Sequence, residues 1–389
     1  MNEEMILKSK LENMKINKLR DQINNYWRNI DKKIFFSFIL LFLLGLFFSF
    51  SSTSSLAGER LDKDYYFFFT KHFIFVTVSL LVMFMVSFID LNYLKKLIVP
   101  IFILLFICLF LVPILGIEVK GSKRWLSLYF FRLQPVELIK PFFILLTAKI
   151  LARENMKTSN VDYFFSFCLL LSIAILLVNQ PDLGQAILLI CTWIAMVFIS
   201  GISFLHIVSI FTMFLFSIFV LLISFPDKFG YILNRLNTFI DPSKGDSFQS
   251  QKALDAIKQG GLTGQGMGEG ILKDSVPEAH TDYIIAVISE EFGSLVSILI
   301  ILIFLYICFR IIKITVEQSD KGLKLSLCGL TAILIFQTFI HIGVNTGLLP
   351  TTGMTLPFLS YGGSSLLGSS ILAGVILNYT QNRYLIDEI

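Results

Sequence analysis

The chain has 389 residues, of which 55% are hydrophobic and only 15% charged, with a formal net charge of +4. Soluble domains carry about 25% charged residues, so this composition excludes a water-soluble globule and makes a bilayer the solvent. Most of the 40 phenylalanines then read as lipid-facing or interhelical filling, and the five cysteines, all inside apolar runs, as small apolar filler without metal-ligand or disulfide spacing.

Residues 1–33 are charged and hold no apolar run, and they read as a basic cytoplasmic tail. Ser55-Leu56-Ala57 resembles a signal-peptidase site. The charged stretch before it is too long for a leader, however, and the run between them, about 20 residues, can span a bilayer. The first span is therefore expected to stay uncleaved. Apolar runs predict ten spanning helices, near 34–54, 66–89, 97–116, 135–153, 162–179, 184–200, 204–225, 283–312, 324–347 and 357–380, with a short tail at 384–389. The expected fold is all-α, one polytopic bundle over 34–383.

Lys and Arg set the orientation. Eight of them (Lys8, Lys10, Lys15, Lys18, Arg20, Arg28, Lys32 and Lys33) crowd the N-terminal segment. Placing that segment inside puts Lys95, Lys96, Lys149, Arg153, Lys157, Arg310, Lys313, Lys321, Lys324 and Arg383 on the same side, and both termini in the cytoplasm. Two outer loops break the pattern. Loop 117–134 is short yet carries Lys120, Lys123, Arg124 and Arg132. Loop 226–282 is too long to be a mere connection. Its middle predicts a helix, capped by Asp246 and ended by Gly260-Gly261, followed by a glycine run (260–270) expected to act as a hinge.

Ionisable groups at membrane depth are costly and point to function. Glu137 and Lys140 lie three apart on one helical face, either as a mutually neutralising pair or as part of a substrate cavity. Lys123-Arg124-Trp125 reads as an interfacial anchor or as a phosphate site, since the planar Arg fork matches phosphate oxygens. Asp282 at the start of the eighth span is a good helix cap. Its neighbours Glu278, His280 and Thr281 also make it a candidate general base. Glu290 and Glu291 enter that span about two turns on: one to line the cavity, one to pair with a cation. Asn179 to Gly184 reads as a polar turn, His341 and Asn345 share a face of the ninth span, and Ser364 lies in a small-residue run suited to close helix packing. No His, Cys and carboxylate set has metal-ligand spacing. Nothing points to nucleic acid.

Six strings in order, GSKRW (121–125), QPVELIKP (134–141), NQPDLGQA (179–186), GGLTGQGMGEG (260–270), PEAHTDYIIAVISEEFG (277–293) and GLLPTTGMTLPFLSYGGSS (347–365), resemble the SEDS family, with the division branch, FtsW, nearer than the elongation branch, RodA. Val136, Tyr283, Ile285 and Thr355 depart from its usual residues. The resemblance implies a ten-helix SEDS fold and a peptidoglycan glycosyltransferase that polymerises lipid II at the outer face of the cytoplasmic membrane, at the division septum. It implies Asp282 as the catalytic residue. Substrate contacts are expected at Lys123, Arg124, Trp125, Arg132, Glu137, Lys140, His280, Thr281, Glu290 and Ser364. The implied partners are lipid II, a class B penicillin-binding protein of the FtsI type, other divisome proteins and membrane lipids. A diphosphate often travels with Mg²⁺, so a divalent cation is the one cofactor left open. A lipid II flippase and a recruiting scaffold are the rival classes.

Overall fold

The structure is a computed structural model that describes chiefly residues 20–52, 66–119, 121–128, 131–153, 158–203, 226–241 and 248–381. The seventh expected span (204–225), the Asp246 cap, Ser55-Leu56-Ala57 and Lys120 lie largely or wholly outside the described residues. Long helices dominate: α1 (Lys32–Ser52), α2 (Phe67–Phe88), α3 (Leu91–Leu115), α4 (Pro135–Leu151), α5 (Asn160–Asn179), α6 (Leu183–Ile199), α7 (Pro226–Ile240), α8 (Phe248–Gly260), α9 (Ile284–Glu317), α10 (Lys321–Asn345) and α11 (Gly363–Tyr379). Among the described residues six of these, α1, α2, α3, α5, α9 and α10, are long and apolar enough to cross a membrane. The chain is a multi-pass membrane bundle.

Helix ends follow local chemistry. Asp90 and Asp320 cap α3 and α10 by accepting backbone N–H groups, and Ser159 with Asp162 forms a reciprocal capping box at α5. These caps lie at one end of the bundle, where Arg310 pairs with Asp31 at 2.7 Å and Lys95 with Asp320 at 3.0 Å. Within the bundle α10 is the most buried of the six long spans, and α11 is buried along almost its whole length. Small residues make that possible. A Cβ on Gly368 would fall on the Glu137 carbonyl of α4, and one on Gly374 would strike Met83 and Val86 of α2.

Three expectations change. Loop 117–134 is a small antiparallel sheet: β1 (Ile117–Val119), β2 (Ser122–Leu128) and β3 (Phe131–Leu133), in the order β1-β2-β3. Glu118 stands opposite Lys123, and Ser127 opposite Arg132. The last helix starts at Gly363 rather than 357, because residues 357–360 form a turn with Phe358 at φ +67. The long loop holds a second helix, α7.

The glycine run is a docking strip, not a free hinge. Helix α9 breaks at Gly293 (φ 84, ψ 164), which strips the Glu290 and Glu291 carbonyls and the Ser294 and Leu295 N–H groups of helical partners. The strip replaces them. Gln265 and Gly266 donate to the carbonyls of Glu290 and Glu291 at 2.9 and 3.0 Å, while Ser294 and Leu295 donate to the carbonyls of Gly261 and Leu262 at 3.0 and 3.3 Å. Backbone meets backbone so closely that a Cβ on Gly264 or Gly293 would overlap the opposite main chain. Gly293→Ala is expected to lower the thermal midpoint and to speed amide exchange at residues 265, 266, 294 and 295 together, because strain at positive φ of ~1–3 kcal/mol adds to the overlap. Exchange mass spectrometry in detergent checks this.

Candidate active site

At the end of the bundle opposite the capped one, four described stretches meet: the β1–β3 sheet, residues 180–182, residues 248–283, and residues 346–362. Asp282 sits among them on a tight turn just before α9. Glu278, at φ +56, aims its carbonyl at the turn, and the N–H groups of Thr281, Asp282 and Tyr283 donate to it at 3.0, 3.1 and 3.4 Å. A non-glycine residue in the left-handed region costs energy and persists only where surroundings hold it. Here they do. Ser360 Oγ donates to the Thr281 carbonyl (2.6 Å), the Tyr361 N–H to the His280 carbonyl (2.9 Å), and Asn345 Nδ2 to the Asp282 carbonyl (3.0 Å). Asp282 is half-buried, and a Cβ on Gly353 would touch its Oδ2 at 3.3 Å. The next residue, Tyr283, is buried, and burial followed by the Asp282 charge pushes its phenol above the usual range. The His280 ring packs in a triangle with those of Phe68 (5.5 Å) and Tyr361 (5.4 Å).

Below this turn lies a second polar group. Glu137 and Lys140 pair at 2.7 Å with both side chains almost fully buried, as their spacing predicts. Gln185 Nε2 donates to Glu137 Oε1 at 2.6 Å, and Lys140 donates to Gln337 Oε1 at 3.1 Å. A cavity of about 10 Å³ borders the pair, lined also by Phe358 and Ser369. That is room for about one water, not for a sugar, so the pair is a neutralised strut in this conformation.

The basic residues divide. Lys123 and Arg132 stand exposed on the sheet, and Trp125 is half-buried opposite Ile117. Arg124 turns inward. Its guanidinium donates to the carbonyls of Gln180 (3.3 Å) and Pro181 and lies 3.8 Å from Asp182. It staples β2 to the α5–α6 connection. Glu290 also departs from expectation. It is fully buried, and its two oxygens accept the N–H groups of Leu272 and Lys273, each at 2.7 Å, so it caps the short helix Leu272–Ser275. Its neighbour Glu291 pairs with Lys273, the cation partner foreseen for one of the two. Ser364 accepts from the Gln134 N–H (2.9 Å) and donates to the Arg132 carbonyl (3.2 Å), tying α11 to the sheet. His280 and Thr281 share the Asp282 turn.

Sequence reasoning missed Asp182, Arg235 and Gln337. Asp182 passed as turn chemistry, yet it is buried, and burial raises its carboxyl above the usual range against the pull of Arg124. Arg235 lies on α7 and donates to the Thr351 carbonyl at 3.3 Å. The amphipathic pattern of 226–240 after Pro226 was a signal that could have placed it. Among the described residues no group of three or more His, Cys, Asp or Glu is placed to hold a metal ion, so no chemical step is routed through one.

This arrangement defines a class: a multi-pass helical membrane protein with a carboxylate-bearing site at one end of its bundle. The chain belongs to the cell cycle protein family of FtsW, RodA and SpoVE, whose model it matches over residues 31–385. It is 35% identical over 360 residues to the probable peptidoglycan glycosyltransferase FtsW of Haemophilus influenzae, covering 89% of each chain. It is 34% identical over 354 residues to stage V sporulation protein E of Bacillus subtilis, covering 89% of this chain and 96% of that one. A chain from a structure described as a peptidoglycan synthase complex that coordinates polymerization and crosslinking superposes with a TM-score of 0.74 at 25% identity, covering 90% of this chain and 97% of that one. An aspartate-to-alanine variant of the Thermus thermophilus rod shape determining protein RodA superposes at 0.67, also at 25% identity and with the same coverage.

The buried pair makes a separable prediction. Lys140→Met strands the Glu137 carboxylate and is expected to cost about 3–5 kcal/mol, whereas Glu137→Gln with Lys140→Met together costs much less. Thermal unfolding of the two purified variants in one detergent checks the order.

Proposed function

We propose that this chain is a peptidoglycan glycosyltransferase that polymerises lipid II at the outer face of the cytoplasmic membrane. The single observation that carries the mechanism is the half-buried carboxylate of Asp282, held at its backbone by Asn345 and by the Glu278 carbonyl while its side chain stands against a bare glycine. Such a group is positioned to take a proton from a hydroxyl. The names of the relatives support the reaction class.

The acceptor sugar's 4-hydroxyl attacks the anomeric carbon of the donor. Its proton passes to Asp282, the new glycosidic bond forms, and the bond from the anomeric carbon to the undecaprenyl diphosphate breaks. The diphosphate leaves with a growing negative charge, which cations stabilise best where charge develops. Lys123 and Arg132 are the exposed cations of the sheet, whereas Arg124 is engaged internally. The energy resides in the diphosphate bond, so the reaction needs no ATP.

Both termini lie in the cytoplasm on the Lys and Arg distribution, which places the Asp282 end outside. Division-type names among the relatives, at 31–35% identity, favour septal synthesis with a class B transpeptidase partner over the elongation role. Asp282→Asn is expected to lower lipid II polymerisation by ~10²–10⁴-fold in a protein that still folds. Lys123→Glu with Arg132→Glu is expected to lower kcat/KM for lipid II, through kcat where the cations act on the leaving charge. Gel analysis of glycan chains made by purified protein, alone and with the transpeptidase, checks both. Wild-type chains from Asp282→Asn overturn the base assignment, and lipid movement without chain synthesis by the wild-type protein favours a flippase.

A further inference from the structure

Helix α10 carries three polar side chains, Gln337, His341 and Asn345, four residues apart and therefore stacked on one face. All three are buried. Each makes a bond to a different part of the site. Gln337 takes the Lys140 ammonium on its oxygen (3.1 Å) and gives its Nε2 to the Thr355 carbonyl (3.0 Å). His341 Nδ1 meets the Met354 carbonyl at 2.7 Å. Asn345 Nδ2 donates to the Asp282 carbonyl at 3.0 Å and to the His341 carbonyl one turn back at 2.8 Å.

These bonds converge. Met354 and Thr355 follow Gly353, the residue against Asp282 Oδ2. One helix face therefore holds both the backbone of Asp282 and the strip of chain that walls its carboxylate, and the same face ends on the buried Glu137–Lys140 pair. We infer that Gln337, His341 and Asn345 are positioning residues for Asp282, a rail that sets the carboxylate against its wall. The inference rests on Asp282 being the base.

The chemistry of His341 gives the rail a sharp test. A carbonyl only accepts, so Nδ1 carries the proton in the neutral ring and Nε2 is a bare acceptor. Nε2 is buried and has no hydrogen-bond partner among the described residues. The Nδ1–H is thus the working half of the ring. An asparagine amide reaches about where Nδ1 lies, and a glutamine amide reaches about where Nε2 lies. His341→Asn should keep the bond to Met354, and His341→Gln should lose it.

The experiment uses the purified full chain in detergent, with monodispersity and thermal midpoint recorded for each variant, and measures kcat and KM for lipid II. Asn345→Ala and His341→Gln are expected to lower kcat at least about tenfold, towards the ~100-fold that a 1 Å misplacement costs, with KM within about twofold. His341→Asn is expected to keep most of kcat. Equal kcat in His341→Asn and His341→Gln, or an Asn345→Ala protein of wild-type kcat, overturns the rail. Should Asn345→Ala fail to fold, the His341 pair decides alone. Asp282→Asn is assayed beside them. If it is inactive while the rail variants are unaffected, only the rail falls. If it is fully active, the base assignment falls and the rail with it.

Discussion

An unpaired peptide group inside a lipid-solvated bundle costs several kcal/mol, and that cost decides how Asp282 is presented. Helix α9 does not run unbroken from the Asp282 end of the bundle, because Gly293 leaves the helical region. The peptide groups released there must be met, and the glycine strip 261–266 meets them from the side. With the strip docked, Glu290 and Glu291 hold the short helix Leu272–Ser275. That helix leads straight into the turn carrying Asp282. The site therefore inherits its geometry from a break in a helix.

The same economy governs charge. A buried ion pair is a poor source of stability but a strong constraint, since each partner is ruinous without the other. Glu137 and Lys140 are held further by Gln185 and Gln337 on two other helices. Three helices are thereby locked in one register beneath the site. Arg124 does the equivalent work above, binding the sheet to residues 180–182 with carbonyl oxygens as acceptors.

Much of the fold was legible in the residues. Long apolar runs have one solution in a bilayer, so nine of the ten expected spans fall on described helices. Glu137 and Lys140 pair because a spacing of three is a contact on any helix. The middle of the long loop is helical as expected, and ends at Gly260. The sheet at 117–133 was not legible, since its strands are only three to seven residues long. The glycine run misled for a different reason. Glycine permits both freedom and close approach, and a sequence does not say whether another backbone lies against it.

By itself, then, the sequence determined the solvent and the order of the apolar segments, which are consequences of composition and local spacing, while its resemblance to a family is what pointed to Asp282. Tertiary structure alone decided which polar groups are spent on holding the fold and which remain to act. Arg124 and Glu290 look like ligand contacts as residues, yet one meets carbonyls near 180 and the other meets N–H groups near 272. Gln337 looks ordinary, and His341 and Asn345 show only a shared helical face, yet the three link the ion pair to Asp282. The physical reason is common to both cases. A polar side chain within the bundle is costly without a partner, and partners far apart in the chain become known only when the helices are packed.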